Sequence, residues 1–204
     1  MITIIDYGMG NLRSVQKAFE LFYRDVRITP SPKEVLSSDK VVLPGVGAFS
    51  KAMEELQKRD LIGPVKEIIK KGRPFLGICL GLQLLFSESE EGGSVKGLAV
   101  LRGKVKRFKD ADGFKIPHMG WNKILQERPV QGPGILAGVP DESYMYFVHS
   151  YFVEPEDKAI ILCKTDYIRN FTSGIHRENI YAFQFHPEKS QRLGLRIIKN
   201  FVEL

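Results

Sequence analysis

Apolar and polar positions follow two rhythms along the chain. In its first half, short apolar runs rich in β-branched residues are separated by stretches whose apolar residues fall on one helical face. Ile2-Thr3-Ile4-Ile5 is the first such run, and it closes at the turn Asp6-Tyr7-Gly8-Met9-Gly10. From Asn11, read as a helix cap, Leu12, Val15, Phe19 and Phe22 are spaced for one buried face of a helix reaching about Tyr23. Strands are expected at Val26 to Thr29, Val41 to Leu43 and Phe75 to Ile78. Helices are expected over 48–57 and 62–71, and again from Gly81 to Phe86.

From about residue 98 the rhythm changes to short strands and turns. Strands are expected over 98–101, 104–108, 114–118, 121–125, 144–153, 159–165, 171–176 and 180–185, before a last helix over 190–202. The early β-α alternation implies an α/β fold, a mostly parallel open sheet flanked by helices. The late strands are expected to be antiparallel additions in the C-terminal half. No linker or repeat interrupts the pattern, so residues 1–204 are read as a single domain. Ligand sites in open α/β sheets lie at the carboxyl ends of the strands. That rule singles out Asp6 to Asn11, Pro44 to Gly47, Gly77 to Gln83 and Phe185 to Glu188, which should meet on one edge.

Composition narrows the class only a little. With 43% apolar and 26% charged residues the chain reads as an ordinary water-soluble globule. Two cysteines, Cys79 and Cys163, make no disulfide framework. No basic leader and no apolar stretch of about 20 residues are present, so a cytoplasmic protein is expected. The formal charge of +6 gathers at Arg102, Lys104, Lys106, Arg107 and Lys109. Its alternation with Val105 and Phe108 reads as the wet face of a strand, and no aromatic platform supports a nucleic-acid surface.

The chemistry concentrates at Gly77-Ile78-Cys79-Leu80-Gly81-Leu82-Gln83. A buried strand runs into a cysteine and a helix begins directly after it, with a glycine on each side. This is a nucleophile elbow carrying Cys in place of Ser. The positive end of the following helix should favour the thiolate. A thiolate needs a base, and a base needs an orienting group. Of His118, His149, His176 and His186, two have a carboxylate two residues on, His176 in His176-Arg177-Glu178 and His186 in His186-Pro187-Glu188. The second is singled out because it follows the strand over 180–185, which delivers it to the sheet edge. Extended backbone would turn both side chains to one side. An oxyanion would find donors in the Leu80 N–H and in the backbone at Gly45 or Val46. Gly45 is also expected to exploit conformations closed to other residues, as a switch of that peptide. Gly8-Met9-Gly10-Asn11-Leu12-Arg13 fails as a dinucleotide fingerprint, because Arg13 stands where its third glycine belongs. No spacing of His and Cys suggests a metal, and no cofactor is implied.

Gly-x-Cys-x-Gly-x-Gln followed far downstream by His-x-Glu resembles the triad-type class I glutamine amidotransferases. The stretches Asp6 to Leu12, Pro44 to Phe49, His118 to Asn122, Phe147 to Tyr151 and Gln184 to Ser190 are similar, within that class, to the glutaminase subunits of imidazole glycerol phosphate synthase. The resemblance implies hydrolysis of L-glutamine and delivery of ammonia to a separate cyclase subunit, a (β/α)8 barrel. It implies glutamine-holding roles for Gly47, Gln83, His149, Ser150 and Tyr151. It implies that Asn11, Met119, Trp121, Tyr146 and Lys189 face the partner. Another class I glutaminase, a stand-alone cysteine hydrolase and a non-enzymatic binding module are the other readings.

Overall fold

The computed structural model describes residues 1–127 and 134–204. The first half runs β1 (Ile2–Ile5), α1 (Leu12–Glu20), β2 (Val26–Thr29), α2 (Pro32–Ser37), β3 (Lys40–Gly45), α3 (Phe49–Lys58), α4 (Ile62–Lys70), β4 (Phe75–Cys79) and α5 (Leu80–Leu84). It continues with β5 (Phe86–Ser89), β6 (Val95–Lys96), β7 (Leu101–Arg107), β8 (His118–Lys123) and β9 (Leu125–Gln126). The last part comprises β10 (Tyr144–His149), β11 (Tyr151–Pro155), β12 (Ile161–Asp166), β13 (Asn170–Arg177), β14 (Ile180–Phe183) and α6 (Gln191–Glu203).

The main sheet is ordered β2-β1-β3-β4-β14-β13-β11-β7-β5-β6, with β12 and then β9 branching from β13. From β2 to β14 every pairing is parallel. β13, β11 and β7 extend it with antiparallel pairings, as the late strand pattern implies. One late strand departs from that expectation: β14 joins the parallel core beside β4. β5 was not expected at all, and it pairs in parallel with β7.

Both faces of the parallel core are covered. Val41 and Leu43 join Phe49, Leu56, Val65 and Ile68 in one apolar core. Val42 turns the other way, into a second core with Val15, Phe19, Ile198 and Phe201. Strand residues alternate between faces, so an unbroken apolar run is what a sheet buried on both sides requires. On that second face α1 and α6 meet through Phe19 and Phe201, whose rings stand edge to face at 6.0 Å. Asn11 precedes α1 as expected, but its side chain makes no capping hydrogen bond.

The largest departure from the sequence reading is α5. The expected helix from Gly81 to Phe86 stops at Leu84, and the chain turns at once into β5. Backbone N–H groups of the following segment capture the carbonyls that would have continued it: Leu98 bonds Leu84, Val100 and Leu101 bond Leu85, and Ala99 bonds Phe86. The same segment therefore forms a backbone lattice where a strand over 98–101 was expected, and β7 begins only at Leu101. The expected strand at 114–118 is irregular up to His118, and the one at 121–125 is divided between the end of β8, through Lys123, and the start of β9 at Leu125. The single strand expected over 144–153 is two strands: β10 pairs with β8 in a separate two-stranded sheet, and β11 enters the main sheet. The chain changes sheets at Ser150.

The basic stripe is a wet strand face. Lys104 pairs with Glu88 and Lys106 with Glu154, each at 2.6 Å across neighbouring strands. Among the described residues no helix is long and apolar enough to cross a membrane.

The first turn of α5 lies directly on β3. A Cβ added to Gly81 would run into the Leu43 carbonyl, and one added to Gly77 would lie 2.9 Å from the Gly81 carbonyl. Overpacking of this kind costs about 1–3 kcal/mol. Gly81→Ala is expected to lower unfolding free energy by at least that much in urea titration. An unchanged midpoint would contradict the close β3–α5 contact.

Candidate active site

Gly45 pairs with Cys79 across β3 and β4, and Ile78 pairs with Phe183 across β4 and β14. The carboxyl ends of these parallel strands consequently lie side by side. Cys79 sits at φ 55° and ψ −109°, in the region L-residues rarely adopt. That is the backbone of a sharp strand-to-helix elbow, and it costs on the order of 1–3 kcal/mol. Gly77 and Gly81 leave room for it. α5 has only five residues, so it supplies less of the expected helix dipole than a longer helix would.

The base stands in a different backbone conformation from the extended one expected. Pro187–Lys189 forms a single 3₁₀ turn with Pro187 at its first position. The turn still brings His186 Nδ1 within 2.8 Å of Glu188 Oε1, and both side chains are buried. Nδ1–H donates to the carboxylate, which leaves Nε2 for the thiol. Nε2 and Glu188 Oε2 have no hydrogen-bond partner. Burial by itself would favour the neutral ring. The adjacent Cys79 and Glu188 outweigh it and push the His186 pKa from 6.5 up to about 10.

Cys79 Sγ lies 3.8 Å from the Val148 carbonyl and 3.6 Å from Gln184 Nε2. It opens on a cavity of about 260 Å³ lined by Val46, Gly47, Leu80, Gln83, Glu91 and the backbone-rich segment Val148 to Tyr151. The cavity thus gathers Val46, Gly47, Cys79, Leu80, Gln83, His149, Ser150 and Tyr151 of the residues singled out from sequence. His186 and Glu188 lie behind it. Gly45 does not occupy the left-handed region. Space is what demands glycine there: a Cβ would meet the Tyr7 hydroxyl and lie 2.9 Å from Leu80 Cβ. Tyr7 itself was missed as a site residue. It is buried, its hydroxyl donates to the Pro44 carbonyl at 2.9 Å, and burial with Cys79 nearby keeps it protonated.

Glu91 was missed too, because a carboxylate in Ser87-Glu88-Ser89-Glu90-Glu91 reads as solvated surface. Its Oε2 accepts from the Phe49 N–H at 2.8 Å, at the start of α3, and this anchors it at the cavity wall. The other two buried histidines form a neutral pair. His149 Nδ1–H donates to the Tyr151 carbonyl at 2.8 Å, so its Nε2 accepts from His118 Nδ1–H at 3.0 Å. His118 Nε2 then accepts from Asn122 Nδ2 at 3.3 Å. Burial lowers the pKa of His118 to about 4 and that of His149 to about 3.

Met119, Trp121 and Tyr144 are exposed on the β8–β10 hairpin, at 62%, 46% and 54%. Trp121 packs edge to face on Tyr146, and the exposed Lys189 carries its ammonium 6.0 Å from the Tyr146 ring. The hairpin is tied to the base: His186 N–H donates to the Tyr146 carbonyl, and Tyr146 N–H to Ser190 Oγ. Asn11 is exposed before α1, which packs on the same 187–189 turn.

An elbow cysteine at the end of one parallel strand, a cavity in front of it and a buried His-Glu pair just past the next strand make up a candidate thiol active site. Residues 3–204 match the family described as Glutamine amidotransferase class-I, and the chain belongs to that family. Within it the chain is 50% identical over 209 residues to the imidazole glycerol phosphate synthase subunit HisH of Syntrophotalea carbinolica, covering 100% of both. It is 52% identical over 210 residues to the subunit of the same name from Methanocaldococcus jannaschii, again covering 100% of both. Solved structures share the fold at low identity. PurLQS from Thermotoga maritima superposes with a TM-score of 0.73 at 14% identity, covering 99% of this chain and 97% of that one. The glutaminase domain of Trypanosoma brucei CTPS gives 0.65 at 18%, covering 99% and 93%.

The raised pKa of His186 has a testable sign. Its charged form is favoured in the folded chain, so that contribution is complete below about pH 6.5 and is lost as pH rises through about 10. Glu188→Gln removes one of the two charges that hold the proton. The His186 midpoint, followed by ¹⁵N ring resonances, should move from about 10 toward the ordinary imidazole range. A midpoint that stays in place would show that Glu188 does not hold the imidazolium.

Proposed function

We propose that this chain is the glutaminase subunit of imidazole glycerol phosphate synthase, acting as one domain over residues 1–204 in the cytoplasm. The observation that carries the reading is the buried His186–Glu188 pair behind an elbow cysteine that opens on a cavity. Relatives at about half identity over their full length support the particular subunit.

In the proposed reaction the Cys79 thiolate attacks the side-chain carboxamide carbon of L-glutamine. The oxyanion that forms takes donors from the Leu80 N–H and from the backbone at Gly45 or Val46, whose strand ends register with Cys79. His186 imidazolium gives its Nε2 proton to the leaving nitrogen. The C–N bond breaks, ammonia departs, and a glutamyl thioester remains. His186, now neutral, takes a proton from water, and the resulting hydroxide equivalent attacks the thioester. The C–S bond breaks to give glutamate and regenerate the thiolate beside imidazolium. Glu188 fixes the tautomer and stabilises the charged ring throughout.

The amino-acid end of glutamine needs both an anion and a cation partner. Gly47 and the 149–151 backbone offer donors for its carboxylate, with Gln83 on the same wall. Glu91 is the carboxylate on that wall, suited to the α-ammonium. Ammonia passes to a cyclase partner, a (β/α)8 barrel, docked over Asn11, Met119, Trp121, Tyr146 and Lys189. The exposed apolar and aromatic surface of the β8–β10 hairpin supports this docking face.

Glutamate release should be low for the chain alone and strongly stimulated by the cyclase with its ribotide ligand. Cys79→Ala should abolish it, whereas Glu188→Gln should slow it by about 10²–10⁴-fold, the scale of acid–base assistance. Equal release with and without the cyclase would remove the partner assignment, and release by Cys79→Ala would remove the nucleophile. Glu91→Gln should raise KM for glutamine roughly tenfold or more while kcat changes less, as loss of a charged contact to the bound substrate implies. An unchanged KM would place the ammonium elsewhere.

A further inference from the structure

Gln184 is wholly buried, follows β14 directly and points its amide at the nucleophile. Its Nε2 lies 3.6 Å from Cys79 Sγ. Its Oε1 accepts from Gln83 Nε2 at 3.1 Å, and the second N–H of that same Gln83 amide goes to the Tyr151 carbonyl at 3.1 Å. Both hydrogens of Gln83 are thereby committed to acceptors. Rotating the Gln184 amide by half a turn would set one NH₂ against another, so its N–H is locked toward sulfur.

Apart from the His186 ring, the other polar neighbour of Sγ is an acceptor. While the thiol is protonated, S–H can donate to the Val148 carbonyl at 3.8 Å. When the S–H bond breaks and the proton passes to His186 Nε2, that carbonyl faces a negative sulfur it cannot stabilise. Gln184 is then the uncharged donor in contact with the anion, at a depth where solvent does not replace it. Hydrogen bonds to charged groups are stronger than those to neutral ones, so this contact favours the thiolate over the thiol.

We propose that Gln184 is a further catalytic residue, the neutral donor that stabilises the Cys79 thiolate, with Gln83 as the positioning residue that fixes its amide. The inference rests on Cys79 being the nucleophile and assigns the groups that keep it charged. It also accounts for the observation that Gln83, expected to hold substrate, spends both of its N–H groups on the protein.

The test is alkylation of Cys79 by iodoacetamide across pH, read on the Cys79 peptide, without glutamine or cyclase. The parent is compared with Gln184→Glu, which keeps the shape and the acceptor for Gln83, and with Gln184→Met, which removes all polarity. Thermal unfolding establishes that each variant is folded. In both variants the alkylation profile should move to higher pH, with the rate at neutral pH falling about tenfold, the effect of losing one charge-assisted hydrogen bond. If Gln184→Met is unstable, Gln184→Glu decides alone. A folded variant whose profile lies on that of the parent overturns the proposal, even if glutamate release is lost. Failure of the glutaminase reading shows separately, as glutamate release that survives Cys79→Ala.

Discussion

Ala182 pairs with Gly77 and Phe183 with Ile78, so β4 and β14 run side by side in one direction and end together. The site depends on that register. The proposed nucleophile, Cys79, is the last residue of one strand, and the proposed base, His186, lies three residues beyond the end of the other. Strand residues advance by about 3.3 Å each, so a slip of one position would carry His186 away from Cys79 and turn every β14 side chain to the wrong face. The register is held by the two apolar cores, which receive Phe183 on one side and Ala182 on the other. Packing energy spread over the whole sheet thus fixes one distance at its edge.

Behind the cavity the interior is unusually polar, and nearly all of it is satisfied. Asn122, His118, His149, the Tyr151 carbonyl, Gln83 and Gln184 form a continuous hydrogen-bonded series that ends on Cys79 Sγ. Buried polar groups are costly unless paired, and a fully paired series fixes each member by its neighbours. Besides Thr165 Oγ1 on β12, the exceptions among the described residues are His186 Nε2 and Glu188 Oε2. Both belong to the His186–Glu188 pair, and in the proposed reaction Nε2 is the atom that trades a proton with sulfur. An atom already committed to a protein partner could not do so without first breaking that bond.

Much of this was legible in the chain, and the illegible parts share a cause. β1 to β4 and α1, α3 and α4 were readable because each is set by its own apolar spacing, whereas the six-residue α2, which buries only Val35, was not expected. The elbow was readable because two glycines and a cysteine leave few alternatives, and His186 because its His-x-Glu follows the carboxyl end of a strand, whereas His176-Arg177-Glu178 lies beside the amino end of β14. The length of α5 was not readable, since residues 97–101 end it by taking its carbonyls. Nor was the split at Ser150, because an alternating pattern does not state which sheet each half joins. The geometry of His186-Pro187-Glu188 came from a 3₁₀ turn, although the residue pairing deduced from an extended segment survived. Tyr7, Glu91 and Gln184 were invisible for one reason: each acquires its role from a backbone or sulfur atom distant in sequence.

Three histidines lie buried within a few ångströms of one another's networks, yet they hold opposite protonation states. His118 and His149 have hydrogen-bond partners but no carboxylate, and burial drives both rings neutral. His186 is buried too, but Glu188 on one side and Cys79 on the other reverse the outcome. The difference matters because a cation at His149 would compete for the thiolate that His186 must balance. Neutral rings can still pass hydrogen bonds from the β8–β10 hairpin inward without adding charge. In the proposed reaction the ionic chemistry is concentrated in Cys79, His186 and Glu188, surrounded by groups that orient but do not ionise. Pre-organised dipoles of this kind stabilise a developing charge without having to reorganise when it forms.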